Sequence, residues 1–295
     1  MPMGSRTAES EHLVDHVVLL EKASRPYSAK PRPFLRWAGS KRFALIQVAQ
    51  VLPRQFGTYF EPFLGGGSLF FLLEPCCAVI SDSCAELIQT FEAVRDNVSA
   101  VCRFLRPLKP DRAQYYRIRA HRSKSRFKRA AEFVYLNKTC WNGLYRVNGA
   151  GHFNVPYGMP KSENIVDFAN LRACAESLRK RTVILKTCDF EEALSGVRAG
   201  DLVYLDPPYV TGHTNNGFVD YNEVLFSWRD QERLARLAER LRRKGVHVLV
   251  SSPNHPAIRV LYPNFRPLIL QRESTLASDV SKRQPVTELL FLPRE

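Results

Sequence analysis

No apolar run in this chain of 295 residues is long enough to cross a bilayer, which excludes a membrane-spanning helix. The N-terminal segment lacks the apolar centre of a secretory signal, because Glu9, Glu11, Asp15 and Glu21 interrupt it; a cytoplasmic protein is expected. The seven cysteines have no paired zinc spacing, and the adjacent Cys76-Cys77 suits neither a C-x-x-C redox pair nor a metal knuckle. Reduced core thiols and no bound metal are the expectation. Internal repeats and low-complexity tracts are also missing. What remains has 45% hydrophobic and 24% charged residues, the balance of a globular protein with a substantial core and one or two domains.

Acid is scarce in one particular stretch. Residues 103 to 138 carry twelve Lys/Arg against only Asp111 and Glu132, so most of the net charge of +14 is concentrated there. A run of charge usually forms a solvated helical face. With so few acids to offset it, a polyanionic partner is the better reading.

Around that stretch the pattern alternates. Short apolar runs at Thr58–Phe63, Ala78–Ser81, Thr182–Leu185, Asp201–Leu205 and Val246–Val250 read as strands, the last two of them buried, with helices between them. Phe265–Leu270 and Val286–Leu292 read as a closing strand pair. Helices are expected up to about Val51, from near Leu69, over Glu86–Arg95, over Ile165–Arg181 and over Asp230–Lys244. The segment from Asn142 to Gly158, rich in Asn, Gly and Pro, suits a hairpin or an exposed loop. This order predicts an α/β fold, a doubly wound and mostly parallel sheet with an inserted, mainly helical domain. The divisions are an extension over 1–30, one domain assembled from 31–95 and 165–295, and an insertion over 96–164.

Asp206-Pro207-Pro208-Tyr209 carries the most information. It follows the apolar strand Leu202-Val203-Tyr204-Leu205, which puts a carboxylate at the carboxyl edge of the sheet, where ligands bind. Two prolines remove two N–H donors and hold the turn open. The Asp206 carboxylate and the Pro207 carbonyl are then two acceptors facing one small space, with Tyr209 as a flat lid: a receptacle for an amino group on a planar ring. By itself the tetrapeptide could equally be a strand ending in a turn.

A second element changes those odds. Phe63-Leu64-Gly65-Gly66-Gly67-Ser68 lies between a strand and a helix, where glycines let backbone approach a ligand closely. No Gly-Lys-Ser/Thr follows, so it is not a phosphate-binding P-loop, and it is not a full G-x-G-x-x-G. Asp82, at the end of the next strand, is the acid expected to hold ribose hydroxyls. A nucleoside-bearing cofactor fits both; for Asp82 alone, an exposed strand-end aspartate would be the simpler reading.

Four blocks in order resemble the Dam-type DNA adenine-N6 methyltransferases. They are Phe34-Leu35-Arg36-Trp37-Ala38-Gly39-Ser40-Lys41, Glu61-Pro62-Phe63-Leu64-Gly65-Gly66-Gly67-Ser68, a third from Tyr135-Leu136-Asn137 through Asn142-Gly143-Leu144 and Arg146 to Phe153-Asn154-Val155-Pro156-Tyr157-Gly158, and the Asp206–Tyr209 tetrapeptide. The resemblance spans about residues 33 to 292. It implies S-adenosylmethionine as methyl donor, held by Trp37, Lys41, Phe63, Gly65, Gly67, Asp82 and Asp206, with Asp189 and Phe190 as further candidates for the adenine ring. It implies catalysis by Asp206, Pro207 and Tyr209 on an adenine flipped from double-stranded DNA, with Phe218 or Tyr221 closing over it.

The basic insertion would supply phosphate contacts, which give affinity without sequence preference. Target reading would fall to Arg36, Trp141, Asn142, Leu144, Arg146 and Pro156. Arg146 can meet a guanine in bidentate fashion, Leu144 and Pro156 a thymine methyl, and Trp141 can wedge into the base stack unless it is a core aromatic. GATC is the implied target, although Met159 stands where related enzymes can carry a basic DNA contact. A monomer is the working expectation for the oligomeric state. The alternatives are methylation of an RNA adenine or of cytosine N4, and a catalytically silent DNA-binding protein. A nicotinamide enzyme fits less well, given the incomplete glycine pattern.

Overall fold

A computed structural model of the protein describes residues 31–39, 44–180, 182–209, 226–272 and 286–294. Its frame is a seven-stranded sheet in the order β3-β2-β1-β4-β5-β7-β6. The strands are β1 (Tyr59–Glu61), β2 (Cys77–Asp82), β3 (Thr182–Thr187), β4 (Leu202–Leu205), β5 (His247–Pro253), β6 (Phe265–Arg272) and β7 (Val286–Pro293). β1 to β5 pair in parallel, and β7 wedges between β5 and β6, antiparallel to both. The doubly wound, mostly parallel sheet expected from the alternation is present.

Period-two alternation splits the core in two. On β4, Leu202 and Tyr204 face one helical layer, while Val203 and Leu205 face the other. The first layer holds α1 (Leu45–Gln50), α2 (Ser68–Leu73), α3 (Ala85–Leu105) and α6 (Phe168–Leu178). The second holds α7 (Phe190–Ala193), α8 (Trp228–Arg243) and α9 (Pro256–Leu261). Side chains set several helix starts. Asp167 accepts from Asn170 N at 2.9 Å, which begins α6 at Phe168 and not at Ile165. Ser227 and Asp230 form a capping box for α8.

The segment between α3 and α6 contributes α4 (Arg112–Ala120) and α5 (Arg126–Thr139). The helix expected over Glu86–Arg95 runs on to Leu105, with a break at Asn97 (φ −150°, ψ 76°), whose Oδ1 accepts from Ala100 N at 2.9 Å and restarts the helix. The boundary expected at 95/96 falls beside this kink. Phe133 and Tyr135 of α5 join the same apolar core as α3 and the sheet. Among the described residues no helix is long and apolar enough to cross a membrane.

The order of the sheet decides where a ligand can sit. From β1 the chain winds outward to β2 and β3, then returns to β4 on the other side of β1. At such a switch point the loops leaving two adjacent strands diverge and leave a crevice. The two loops are the glycine turn after β1 and the Asp206–Tyr209 turn after β4.

Candidate active site and nucleic-acid interface

The glycine turn is tied to the next strand by backbone. Leu64 N donates to Ser81 O at 2.9 Å and Gly65 N to Asp82 Oδ2 at 3.0 Å, while Asp82 Oδ1 accepts from Cys84 N at 2.9 Å. Asp82 thus clamps the turn and keeps lone pairs for a further donor. Burial raises its pKa from the ordinary carboxylate value, against the opposing pull of these backbone donors. Gly65 has φ +49°, and a Cβ there would lie 2.7 Å from Trp37 Cδ1. The indole therefore lies directly against the turn, and Tyr145 stacks on it with centroids 5.5 Å apart and planes 21° from parallel.

These groups wall a cleft of about 300 Å³ that also reaches Asp206, Pro207 and Tyr209. So the structure brings Trp37, Phe63, Gly65, Asp82, Asp206, Pro207 and Tyr209 together. Gly67 does not line the cleft. It turns the chain into α2 at φ +68°, where a Cβ would meet Leu64 and Phe71 at 3.3 Å. Phe190 backs Phe63 at 5.5 Å, with Arg233 above its ring at 4.8 Å, and Asp189 caps α7 and pairs with Arg233 at 3.1 Å. Lys41, Phe218 and Tyr221 lie outside the described residues.

Glu61, Tyr145, Tyr204 and Phe226 are among the cleft residues that the sequence did not single out as site residues. Glu61 is 3% exposed and accepts from Tyr59 Oη at 2.9 Å. Burial, with help from the neighbouring carboxylates of Asp206 and Asp82, pushes its pKa up to about 8 against the Tyr59 hydrogen bond. The signal was available: an acid inside a fully buried strand needs a reason. Tyr145 gave no such sign, because its place between Leu144 and Arg146 reads as part of the exposed loop.

A second surface adjoins the cleft. Arg36, Trp141, Asn142, Arg146 and Pro156 are exposed, Trp141 at 52%. Leu144 is half-buried and lines the cleft instead. The loop is built around a short hairpin, with Val147 bridging Phe153 and Asn148 Oδ1 accepting from Ala150 N and His152 N at 3.1 and 2.9 Å. Trp141 N donates to Pro156 O at 2.9 Å, which sets those two residues side by side. Arg146 Nε donates to Asn154 Oδ1 at 2.8 Å. α4 supports the far limb, where Tyr115 Oη and Arg119 Nη1 both donate to Val155 O, at 2.8 and 3.0 Å. Arg36 joins from a hundred residues away; a Cβ on Gly143 would lie 2.4 Å from Arg36 Cβ.

The basic stretch is less uniform than its composition. Arg103, Arg106, Lys109, Arg112, Arg117, Lys124, Arg126, Lys128 and Arg129 are exposed. Arg122 is turned inward, 2.5 Å from Glu86 Oε1 and 3.7 Å from Glu132 Oε2, and Arg126 pairs with Asp96 at 2.6 Å. Glu86 and Asp96 belong to α3, so the acids that partly offset this charge come from outside residues 103–138.

Comparison with known proteins agrees with this geometry. The family model for D12 class N6 adenine-specific DNA methyltransferases matches residues 37–276. The chain is 34% identical to the type II methyltransferase M1.LlaDCHI of Lactococcus lactis subsp. cremoris, over 88% of this chain and 94% of that one. It is 33% identical to the type II methyltransferase M.MjaIII of Methanocaldococcus jannaschii, over 88% and 98%. With the DNA adenine methylase of Escherichia coli K12 it shares 30% identity over 89% and 95%.

Proposed function

Because the chain belongs to the D12 class of N6 adenine-specific DNA methyltransferases, we propose that it methylates adenine N6 from S-adenosylmethionine on a base extruded from duplex DNA, within GATC. The observation that carries the reading is the single cleft shared by the glycine turn and the Asp206–Tyr209 turn. Its volume and lining suit the donor: an indole wall at Trp37, a bare backbone at Gly65 and a carboxylate at Asp82 with acceptor capacity left over. Bound there, S-adenosylmethionine supplies an electrophilic methyl group.

The chain's own residues do the rest by positioning. The adenine amino lone pair is delocalised into the ring, so N6 is a weak nucleophile. Asp206 and the Pro207 carbonyl accept its two hydrogens, which favours a pyramidal nitrogen and aims its lone pair towards the donor. The main contribution is alignment for an in-line displacement. Tyr209 stacks on the extruded ring. An adenine inside a duplex cannot reach this cleft, which is why extrusion is required. Arg36, Trp141, Asn142, Arg146 and Pro156 form the reading surface beside the opening, and the exposed cations of the insertion hold phosphates. The GATC assignment rests on the resemblance of the Asn142–Gly158 block. The enzyme acts as a monomer in this reading.

Host DNA exposed to the wild-type protein should resist enzymes blocked by adenine methylation at GATC, whereas DNA exposed to Asp206→Ala should be cut fully although that variant still binds DNA. GATC left cut, with another adenine site protected, would refute the target; full protection by the variant would refute the role of Asp206.

A further inference from the structure

Glu288 lies in a strand that otherwise avoids charge. Leu289, Leu290 and Phe291 beside it are at most 1% exposed, and Glu288 itself is 5% exposed. Withdrawing a carboxylate from water is costly unless hydrogen bonds compensate it. Tyr209 supplies one: its phenol donates to Glu288 Oε2 at 2.8 Å. Tyr209 follows β4, whereas Glu288 belongs to β7, with β5 between them in the sheet. The tyrosine side chain therefore reaches over β5 and passes Ser251, whose Oγ lies 3.4 Å from the phenol oxygen. A phenol has one proton. Since it goes to Glu288, the serine hydroxyl is the donor in the second contact.

We propose that Glu288 is a positioning residue for methyl transfer: by holding the Tyr209 hydroxyl at β7, it fixes the plane of the ring on which the extruded adenine stacks. The inference deepens the function proposed above and rests on its assignment of Tyr209 as the stacking partner. The ring is pinned at both ends, at its backbone by the turn that follows two prolines and at its hydroxyl by the sheet. A ring held this way offers the base one surface and loses no further rotamer freedom on binding. Released from Glu288, it would keep its apolar area in the cleft wall yet present a range of planes. The reacting nitrogen would then be misaligned while the donor still bound normally. The hydroxyl, engaged at the sheet, takes no part in proton movement at the adenine.

The test compares single-turnover methyl transfer to duplex DNA with calorimetric binding of sinefungin, a non-transferring analogue of the donor. It uses wild type, E288L, E288Q, Y209F and Y209F/E288L. Loss of one such hydrogen bond should slow transfer by E288L about tenfold, with sinefungin affinity within about twofold of wild type. E288Q, whose amide oxygen still accepts from the phenol, should recover at least about a third of the rate. In the Y209F background, E288L should cause little further slowing, because the bond is already gone. A wild-type rate in folded E288L, or undiminished slowing in the Y209F background, overturns the proposal. Should E288L not fold, Y209F alone decides: slow transfer with unchanged sinefungin affinity supports the role, and a wild-type rate overturns it. The wild-type arm separates the two levels. Failure of the wild type to methylate any DNA overturns the proposed function and this role with it, whereas wild-type activity matched by E288L overturns only the role of Glu288.

Discussion

Asn137 grips Arg36 by both sides of its peptide backbone: Asn137 Oδ1 accepts from Arg36 N at 2.7 Å, and Nδ2 donates to Arg36 O at 2.7 Å. The same Nδ2 donates to Gly143 O at 3.3 Å. One side chain, 2% exposed, thus holds an N-terminal residue against the loop that carries Asn142 and Arg146. Asn137→Ala should cost about 2–3 kcal/mol, since it takes this partner from two part-buried backbone groups of Arg36 and from the buried Gly143 carbonyl. Urea denaturation measures that loss. Discrimination between the target duplex and one with a single base changed should also fall about tenfold, because Arg36 loses its register with the loop; competition binding reads this out, and unchanged discrimination would detach Arg36 from target reading.

Glu61 gives the cleft a dependence on pH. Its pKa in the folded protein is about 8, against an ordinary value of 4.5, because burial disfavours the charged form. Between those values the folded protein holds a proton that the unfolded chain has released. This carboxyl therefore lowers stability progressively as pH rises from about 4.5 to 8, by at most about 1.4 kcal/mol per pH unit, and adds no further dependence above that window. Glu61→Gln should flatten that part of the stability profile. Unfolding midpoints measured across the window, subtracted between the two proteins, isolate the effect; parallel profiles would show that Glu61 titrates normally.

A cationic ligand in the same cleft should favour the charged form of Glu61 and expel its proton. Binding of S-adenosylmethionine at pH 7 should therefore release protons in the wild type and not in Glu61→Gln. Calorimetry in buffers of different ionisation enthalpy measures the number released. Equal release by both proteins would place the titrating group elsewhere.

Two glycines with positive φ should respond differently to alanine. At Gly65 the added methyl collides with Trp37 at 2.7 Å, whereas at Gly151, φ +75°, nothing lies within 4 Å. Gly151→Ala should cost only the left-handed backbone penalty, about 1–2 kcal/mol, with donor affinity unaltered. Gly65→Ala carries the same penalty and also displaces the indole wall, so its sinefungin affinity should fall at least about tenfold. Equal affinities for the two variants would remove Trp37 from the donor site.

Two cations of the insertion should separate DNA binding from stability. Lys124 is exposed, and Lys124→Ala should weaken DNA binding uniformly across sequences and reduce the slope of log K against log salt by about one unit. Arg122 instead neutralises Glu86 and Glu132, which are 15% and 6% exposed as side chains. Arg122→Ala should leave that slope unchanged and destabilise the fold by about 3 kcal/mol, since it takes the nearest cation from two largely buried carboxylates and leaves Glu86 with Arg129 at 3.5 Å and Glu132 with the Ser123 N–H at 2.8 Å. A salt titration of binding beside a denaturation curve distinguishes the two.

The middle of the doubly wound sheet was legible because β1, β4 and β5 are short runs whose two faces are both buried, as Leu202 to Leu205 are, whereas β3 at the edge buries only one face. The two motif turns were legible because double proline and consecutive glycine impose backbone geometry within a few residues. Helix ends were read less well. α3 continues past Arg95 because its apolar face packs against α5, and a local pattern carries no record of a distant partner. The charge of the insertion was overstated for the same reason, since Glu86 and Asp96 approach it only through the packing of α3.

By itself the sequence determined the alternation of elements, the residues able to form a bare turn and an acceptor pair, and the excess of positive charge in one stretch. These depend on covalent geometry and near neighbours along the chain. Only the tertiary structure decided that Glu288 holds Tyr209, that Tyr145 stacks on Trp37 and that Glu61 keeps its proton near neutrality. Each of those depends on distance and dielectric through space, between groups that the sheet order brings together from remote parts of the chain.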